Sequence, residues 1–361
     1  MKPLVSVLLS AALFGVSTPL AKLLLGDIRP VALAGLLYLG VFIGLTLFKW
    51  WPKRTSGPGA RHSPEGGVPP DRAFREAALE KRDLPWLAGA VLAGGIVGPV
   101  CLMAGLNRIS GFSTSLLLNF EGVATAAIAV LLFGEYAGRR VWLALALMTA
   151  AGVALSWNIA GGRFDPAGPV LVVLAMLGWG LDNNLTRRIS DKDPVQIARI
   201  KGLVAGTVST AAAVILGQGA GLGGAAAGGL VLGAVCYGLS LVLFIRALKG
   251  LGAFRTGVFF SFGPFVGSLA SVLILGDRVG LSAALAGLLM LAGVALVVTE
   301  KHAHPHRHER TVHIHSHRHD DPHHRHVHNG EAREPHAHEH LHEETEHVHG
   351  HWPDTHHRHG H

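Results

Sequence analysis

Charged side chains and cysteines are both scarce in this chain. Asp, Glu, Lys and Arg make up 15% of the 361 residues, whereas apolar types make up 49%. Soluble domains carry roughly a quarter charged residues, so most of this chain does not have the composition of a water-soluble protein. The two cysteines, Cys101 and Cys236, both lie in apolar stretches. This placement argues against a disulfide framework and indicates small buried side chains.

Two populations of residues are hidden by these averages. Residues 1–300 are mostly apolar runs separated by short polar breaks, whereas residues 301–361 contain 23 of the 24 histidines. The formal charge of +7 comes from basic residues that lie in loops between apolar runs. There they are better explained as determinants of membrane orientation than as contacts to nucleic acid, which we do not expect as a partner.

Long apolar segments recur through the first 300 residues. A helix rises about 1.5 Å per residue and must cross roughly 30 Å of hydrocarbon, so a span needs about 20 apolar residues. The sequence therefore predicts an all-α integral membrane protein with ten transmembrane helices. The predicted spans are 4–25, 30–50, 85–106, 112–133, 140–158, 168–187, 198–217, 225–246, 253–275 and 281–299.

Lysine and arginine collect in the loops that follow the even-numbered spans. Short loops rich in these residues stay in the cytoplasm, so both termini are predicted to be cytoplasmic. The longest of these loops, 52–84, is rich in Gly and Pro and predicts a flexible connection. We expect a multi-pass protein of the plasma (inner) membrane, with the lipid bilayer as its first partner.

The two halves of the apolar region resemble each other at an offset of 142 residues. Leu106–Gly111 corresponds to Leu248–Ala253, and Gly134-Glu135 corresponds to Gly276-Asp277. Glycine-rich helices can also resemble each other through composition alone, but the consistent spacing favours a true repeat. Five spans per repeat would place the second copy upside down, as in many secondary transporters. The predicted divisions are 1–158 for the first repeat, 159–300 for the second and 301–361 for a disordered tail.

Several paired features give the first 300 residues a family resemblance. They are Phe14-Gly15 and Trp179-Gly180 in spans 1 and 6, the two Gly-acid turns, and the Ala-Gly-Val endings of spans 5 and 10. Together they resemble the EamA type of the drug/metabolite transporter superfamily. The resemblance implies a carrier that moves small solutes by alternating access, often as an exporter driven by an ion gradient. It does not supply a substrate, and the histidine tail is not part of the usual family pattern.

Ionisable groups within spans are costly unless they are paired or hydrated, so each is a candidate site residue. Glu121, in the middle of span 4, could bind a proton or a cationic substrate, or could form a structural pair. Asp182 and Asn183 are the second choice, because the successive polar residues 182–184 cover most of the helix circumference and at least one of them should face a cavity or another helix. Lys201 could neutralise a carboxylate, but reaching the interface is favoured. The predicted pathway comprises Glu121, Asn119, Asp182, Asn183, Asn184, Lys201, Ser17 and Thr18.

Proline and glycine indicate interruptions of the helices beside such a pathway. Breaks are predicted at Pro19 in span 1, at Gly122 in span 4, and at Gly263 and Pro264 in span 9. At the repeat offset, Gly263-Pro264 corresponds to Glu121-Gly122, so a break and a carboxylate occupy equivalent places.

Histidine alternates with other residues in the tail, so that imidazoles two apart share one side of an extended chain. This density suits Zn, Ni, Co or Cu. With so few apolar groups, the tail is expected to stay disordered until metal orders it. A solubilising or pH-responsive polycation is the alternative. The predicted metal ligands are His302, His304, His306, His308, His313, His315, His317, His319, His336, His338, His340 and His342.

Two functions follow from these features. The first is a secondary transporter, most simply an exporter, of a small molecule or metal ion, whose cytoplasmic tail binds a divalent transition metal. The second is a membrane-anchored metal buffer or sensor in which the tail is the functional element. No nucleophile-base pair occurs within the spans, so we do not expect an enzyme. No cofactor is required, the tail metal aside, and a homodimer remains an open alternative.

Overall fold

The computed structural model describes residues 3–50, 78–133, 139–158, 163–164, 166–190, 192–219 and 223–299, together with four tail segments between 302 and 351. The chain divides into two compact units. The first contains the described helices up to residue 299, and the second contains the tail segments.

Within this described part, the first unit is built of ten helical stretches that follow the ten predicted spans. Six of them contain segments long and apolar enough to cross a membrane, and three more contain shorter apolar segments. The predicted all-α membrane fold is confirmed. The helices are α1 Pro3–Leu24, α2 Pro30–Trp50, α3 Lys81–Leu106, α4 Gly111–Leu117 and Phe120–Phe133, α5 Arg139–Ser156, α6 Ala167–Arg187, α7 Pro194–Ile215, α8 Ala225–Phe260, α9 Phe262–Leu275 and α10 Leu281–Val298.

Several helix boundaries differ from the predicted spans: α3 begins at Lys81 rather than at residue 85, and residues 253–260 of the predicted ninth span belong to α8, so that α9 begins at Phe262. Capping accounts for the two differences at α7 and α8. Helix α7 begins at Pro194 rather than at residue 198, because the Asp193 carboxylate caps it by accepting a hydrogen bond from the Val195 N–H at 2.8 Å. Helix α8 continues through the predicted loop at 247–252. In the first repeat the Ser110 hydroxyl caps the new helix. Its counterpart at the repeat offset is Gly252, which has no side chain to cap with.

The local helix geometry repeats at the same offset of 142. A π-helical turn occupies Val91–Val97 in α3 and Gly233–Leu239 in α8. The break inside α4 at Leu118-Asn119 corresponds to the turn at Ser261 between α8 and α9. Glycine content alone would not place a π-turn and a break at matched positions. The two halves are therefore true structural repeats.

The predicted helix breaks are wrong in detail. Helix α1 runs without interruption through Pro19. Gly122 lies inside the second part of α4, and Gly263 and Pro264 lie in the first turn of α9. The observed breaks in the described helices, at Leu118-Asn119 and at Ser261, come two to four residues before the predicted ones at Gly122 and Gly263-Pro264. A proline costs nothing in the first turn of a helix, where its missing N–H would lack a partner anyway, so Pro264 marks a helix start.

Contacts between helices of the two repeats follow the two-fold symmetry of an inverted repeat: for each contact there is an equivalent one with the roles of the repeats interchanged. Helix α1 packs on α9 while α6 packs on α4, and α2 pairs with α7 as α5 pairs with α10. The two aromatic-Gly sites lie at equivalent crossings. A side chain at Gly15 would collide with the backbone of Gly263, and one at Gly180 would approach Ala124 within 2.9 Å. Glycine thus brings each broken helix against the opposite repeat.

The Gly-acid turn after α9 has a local structural role. Gly276 ends α9 in the left-handed conformation, with φ at 68°, which glycine adopts without strain. The next residue, Asp277, then accepts a hydrogen bond from the Phe112 N–H at 2.8 Å and so caps the start of α4. The corresponding turn at Gly134-Glu135 lies outside the described residues.

Short strand pairs complete the described backbone. Trp157–Asn158 (β1) pairs with Arg163–Phe164 (β2) between the repeats. In the tail, His302–His308 (β3) pairs with Thr345–His351 (β6), and Thr311–His317 (β4) pairs with His336–His342 (β5), all antiparallel. The tail expected to be disordered thus carries two local ladders. Of the predicted metal ligands, His319 lies outside the described residues.

Candidate substrate and ion site

A cavity of about 70 Å³ lies among helices from both repeats. Its lining combines a large aromatic surface with a few polar groups. The lining residues are Phe14, Tyr38, Val41, Glu121, Trp179, Asp182, Asn183, Lys201, Tyr237, Ser240, Leu241, Phe244 and Phe260.

The aromatic wall is continuous and is centred on Phe14. Its ring meets Trp179 edge to face at a centroid distance of 5.2 Å, and Tyr237 at 5.8 Å. A third neighbour, Phe260, lies at 5.4 Å and itself contacts Phe244 at 4.8 Å. The aromatic residues of the two aromatic-Gly pairs, Phe14 and Trp179, therefore touch each other at the meeting point of the repeats.

Glu121 occupies the first turn after the break in α4. Its Oε1 accepts a hydrogen bond from the Asn183 Nδ2 at 2.9 Å, and the same amide approaches the Thr125 hydroxyl at 3.2 Å. No Lys, Arg or His among the residues that the structure describes forms an ion pair with Glu121. The carboxylate therefore faces the cavity with a neutral partner.

Asp182 and Lys201 form a buried ion pair beside the cavity. The Lys201 Nζ lies 2.5 Å from Asp182 Oδ1 and 2.7 Å from Oδ2, and the Thr186 hydroxyl donates to Oδ1 at 2.7 Å. Lys201 is only 1% exposed. The interpretation that Lys201 reaches the interface is therefore wrong. Because α7 starts earlier than predicted, Lys201 lies two turns inside the helix, opposite Asp182.

The π-turn of α3 leaves room for the Asp182 carboxylate and provides a backbone carbonyl, that of Gly94, which accepts two side-chain hydrogen bonds. A side chain at Gly94 would collide with the Asp182 carboxylate. In the π-turn the Gly98 N–H bonds to Ala93, and the next possible donor to the Gly94 carbonyl is Pro99, which has no N–H. The Gly94 oxygen instead accepts hydrogen bonds from Tyr38 Oη and Trp179 Nε1, both at 2.8 Å.

The predicted pathway residues divide into two groups. Glu121, Asp182, Asn183 and Lys201 line the cavity, whereas the remaining four do not. Those four are buried in helix contacts. Asn184 donates hydrogen bonds to the Thr125 and Gly180 carbonyls, Asn119 donates to Leu116 O, Ser17 donates to Phe14 O, and Thr18 is 2% exposed.

Two tyrosines were missed as site residues. Tyr38 and Tyr237 both line the cavity, with ring centroids 6.2 Å apart. Tyrosine in membrane helices usually lies near the water interface, where its hydroxyl is hydrated. Both residues lie near the middle of their spans, and that position was the available signal of a polar interior.

The cavity does not contain a recognisable metal centre. Among residues whose side chains the structure describes, no group of three or more His, Cys, Asp or Glu could hold a metal ion. The side chains of the predicted tail ligands lie outside that set. The cavity chemistry is therefore that of one carboxylate, one neutralised ion pair and aromatic rings.

Two related proteins resemble this chain in sequence. An uncharacterised transporter of Methanothermobacter thermautotrophicus strain Delta H is 24% identical over 302 residues, covering 81% of this chain and 85% of that protein. The permease-like protein YdzE of Bacillus subtilis strain 168 is 36% identical over 72 residues, covering 20% of this chain and 92% of that protein.

A solved crystal structure shares the fold with a TM-score of 0.55 at 18% identity, covering 81% of this chain and 95% of that chain. Residues 1–157 and 166–299 each match the EamA-like transporter family. These two matches follow the two structural repeats and together span most of the chain. The chain therefore belongs to the EamA-like transporter family of the drug/metabolite transporter superfamily, and it is a multi-pass membrane transporter.

Proposed function

We propose that this transporter is a secondary carrier that exports a small solute by alternating access, with Glu121 as the group that binds the coupling proton and the charged part of the solute. The observation that carries the proposal is the charge of the cavity. Asp182 is compensated by Lys201, whereas among the described residues the Glu121 carboxylate accepts its hydrogen bond from a neutral amide, that of Asn183. The lining thus carries one net negative charge when Glu121 is ionised.

An unpaired charge in an apolar cavity is costly, and a bound proton or cation removes that cost. Binding of a proton and binding of a cationic solute exclude each other, because both neutralise the Glu121 carboxylate. Exchange of a proton for a solute across the membrane follows directly from this competition.

The aromatic wall favours a solute with one positive charge and an apolar body. Faces of Phe, Tyr and Trp attract cations by about 0.5–2 kcal/mol, and more strongly where water is excluded. Phe14 contacts both Trp179 and Tyr237, and all three rings line the cavity that Glu121 also lines. An amine or an amino-acid derivative with a blocked carboxylate fits this lining better than an anion.

The repeats supply the moving parts. Each contributes a broken helix and a π-turn at equivalent positions, and such irregular turns absorb changes in backbone angle at functional sites. Rocking of one repeat against the other would open the cavity to each side in turn.

Proton-driven uptake of an organic cation into inverted or right-side-out proteoliposomes tests this proposal. We expect Glu121→Gln to abolish flux driven by a pH gradient, and Glu121→Asp to retain a measurable part of it. Glu80→Gln is the matched control, because it removes a carboxylate outside the cavity and should leave flux intact. Flux by Glu121→Gln equal to that of the parent would refute the role of Glu121.

The tail adds a metal function to this carrier. We infer that the protein lies in the plasma membrane with residues 301–361 in the cytoplasm. We further infer that these residues bind Zn, Ni, Co or Cu. If the tail regulates the carrier, deletion of 301–361 leaves flux that metal no longer modulates. If the protein is chiefly a membrane-anchored buffer, the same deletion removes metal tolerance without changing flux.

A further inference from the structure

The histidines of the tail are spaced as a mirror image. Along the first arm, residues 302–317, histidines alternate up to His308, the next histidine follows at an interval of five, at His313, and the alternation then resumes. Along the second arm the same interval of five separates His342 from His347. A shift of five residues changes which face of a strand carries histidine, and both arms make that change.

The backbone register places the five-residue interval of one arm opposite the five-residue interval of the other. Strand β3 pairs with β6 and strand β4 pairs with β5, so that the arms run as two nested antiparallel ladders. Each ladder has three positions at which histidine is directly opposite histidine. The six opposed pairs are His302–His351, His304–His349, His306–His347, His313–His340, His315–His338 and His317–His336.

Positions between the histidines favour the same register. Arg307 is paired with Glu346, and Val312 with Leu341. Opposite charges and apolar pairs at directly opposed positions each stabilise antiparallel pairing by about 0.2–1 kcal/mol. The pairing therefore does not depend on histidine alone.

We propose that the tail is a metal-templated β-hairpin in which two neighbouring pairs of opposed histidines form one four-imidazole site for a divalent transition-metal ion such as Zn²⁺, one site per ladder. This proposal rests on the proposed metal function of the tail. Directly opposed residues have Cβ atoms about 4.5–5.5 Å apart, and positions two apart along a strand lie on the same face. Four such positions surround one point, as tetrahedral Zn²⁺ requires.

Metal is needed because the ladder is weak without it. Two-stranded pairings are marginally stable in water, and the tail has few apolar residues to bury. Binding of an ion that only the paired state can hold shifts the equilibrium toward that state.

Zinc stoichiometry of the full-length protein in detergent, measured by equilibrium dialysis, tests the site. The variant His304→Asn/His349→Asn removes the middle pair of its ladder, so that no two neighbouring pairs remain. We expect it to bind one Zn²⁺ fewer per chain than the parent. The matched control His308→Asn/His342→Asn also loses two histidines, but each is opposite a threonine. We expect the control to bind as many ions as the parent.

The register itself is tested with spin labels on a chain in which Cys101 and Cys236 are replaced by serine. Labels at Ala303→Cys and Gly350→Cys occupy opposed positions between histidines, so Zn²⁺ should produce dipolar broadening. Labels at Ala303→Cys and Ala337→Cys occupy strands of different ladders that are not paired with each other, so they should show much less broadening.

The outcomes separate the two proposals. Equal loss of zinc by the two double-histidine variants, or broadening without preference for the opposed pair, would overturn the ladder while the metal function of the tail stands. Zinc binding that is unchanged by deletion of 301–361 would overturn both.

Discussion

Removal of one member of the buried Asp182–Lys201 pair should destabilise the protein far more than removal of both. Asp182→Asn would leave the Lys201 ammonium, only 1% exposed, with the Thr186 hydroxyl 3.3 Å away and no anion among its described hydrogen-bond partners. Lys201→Met would likewise leave the Asp182 carboxylate with the Thr186 hydroxyl as its one described hydrogen-bond donor.

The magnitude follows from the geometry of the pair. Two unit charges 2.7 Å apart attract by about 6 kcal/mol at an effective dielectric constant near 20. Desolvation of both ions offsets most of that attraction, so the intact pair contributes little net stability. A lone buried charge keeps its desolvation cost and loses its partner. Each single variant should therefore lose about 3–5 kcal/mol of unfolding free energy.

The assay is unfolding in mixed micelles, monitored by helix content, for the parent, both single variants and Asp182→Asn/Lys201→Met. The double variant carries no charge at this place and keeps a polar group beside Thr186, so it should fall within about 1 kcal/mol of the parent. Single variants as stable as the parent, or a double variant as unstable as the sum of the two, would refute a coupled buried pair.

Further variants test individual contacts. Gly94→Ala should abolish flux and lower thermal stability, because its side chain collides with a buried carboxylate; Gly224→Ala has open space and should behave as the parent in the same assays. Tyr38→Phe removes one of two donors to the Gly94 carbonyl and should cost about 1 kcal/mol in unfolding free energy. A hydrogen bond from Lys192 lowers the pKa of Glu80. That contribution to stability is present above the ordinary carboxyl pKa and lost as the pH falls through the lowered value, so Glu80→Gln should flatten the acid limb of a stability-pH profile.

The charged site was only partly predictable from the sequence. Glu121 stood out because an acidic residue in the middle of a span is rare, and the same reasoning identified Asp182. Lys201 was misinterpreted because its distance from the membrane surface depended on where α7 begins, and one capping residue moved that boundary by a turn. Its partner is 19 residues away, on another helix.

The aromatic half of the cavity could not be predicted in the same way. Phe14 and Trp179 were recognised as equivalent, yet no sequence pattern in either repeat indicates that their rings are in contact. Tyr38 and Trp179 share the Gly94 carbonyl only because a π-turn and Pro99 leave that oxygen without a backbone donor. A π-turn has no sequence periodicity that distinguishes it from an ordinary helix.

The sequence by itself determined the membrane class, the number of helices and the repeat. Hydrocarbon forces each backbone to satisfy its hydrogen bonds within one segment, so spans can be recognised from local composition. The tertiary structure alone decided which carboxylate is neutralised and which faces the cavity with a neutral partner. That choice depends on contacts between helices that are distant in the chain, at crossings set by glycines whose neighbours no local pattern reveals.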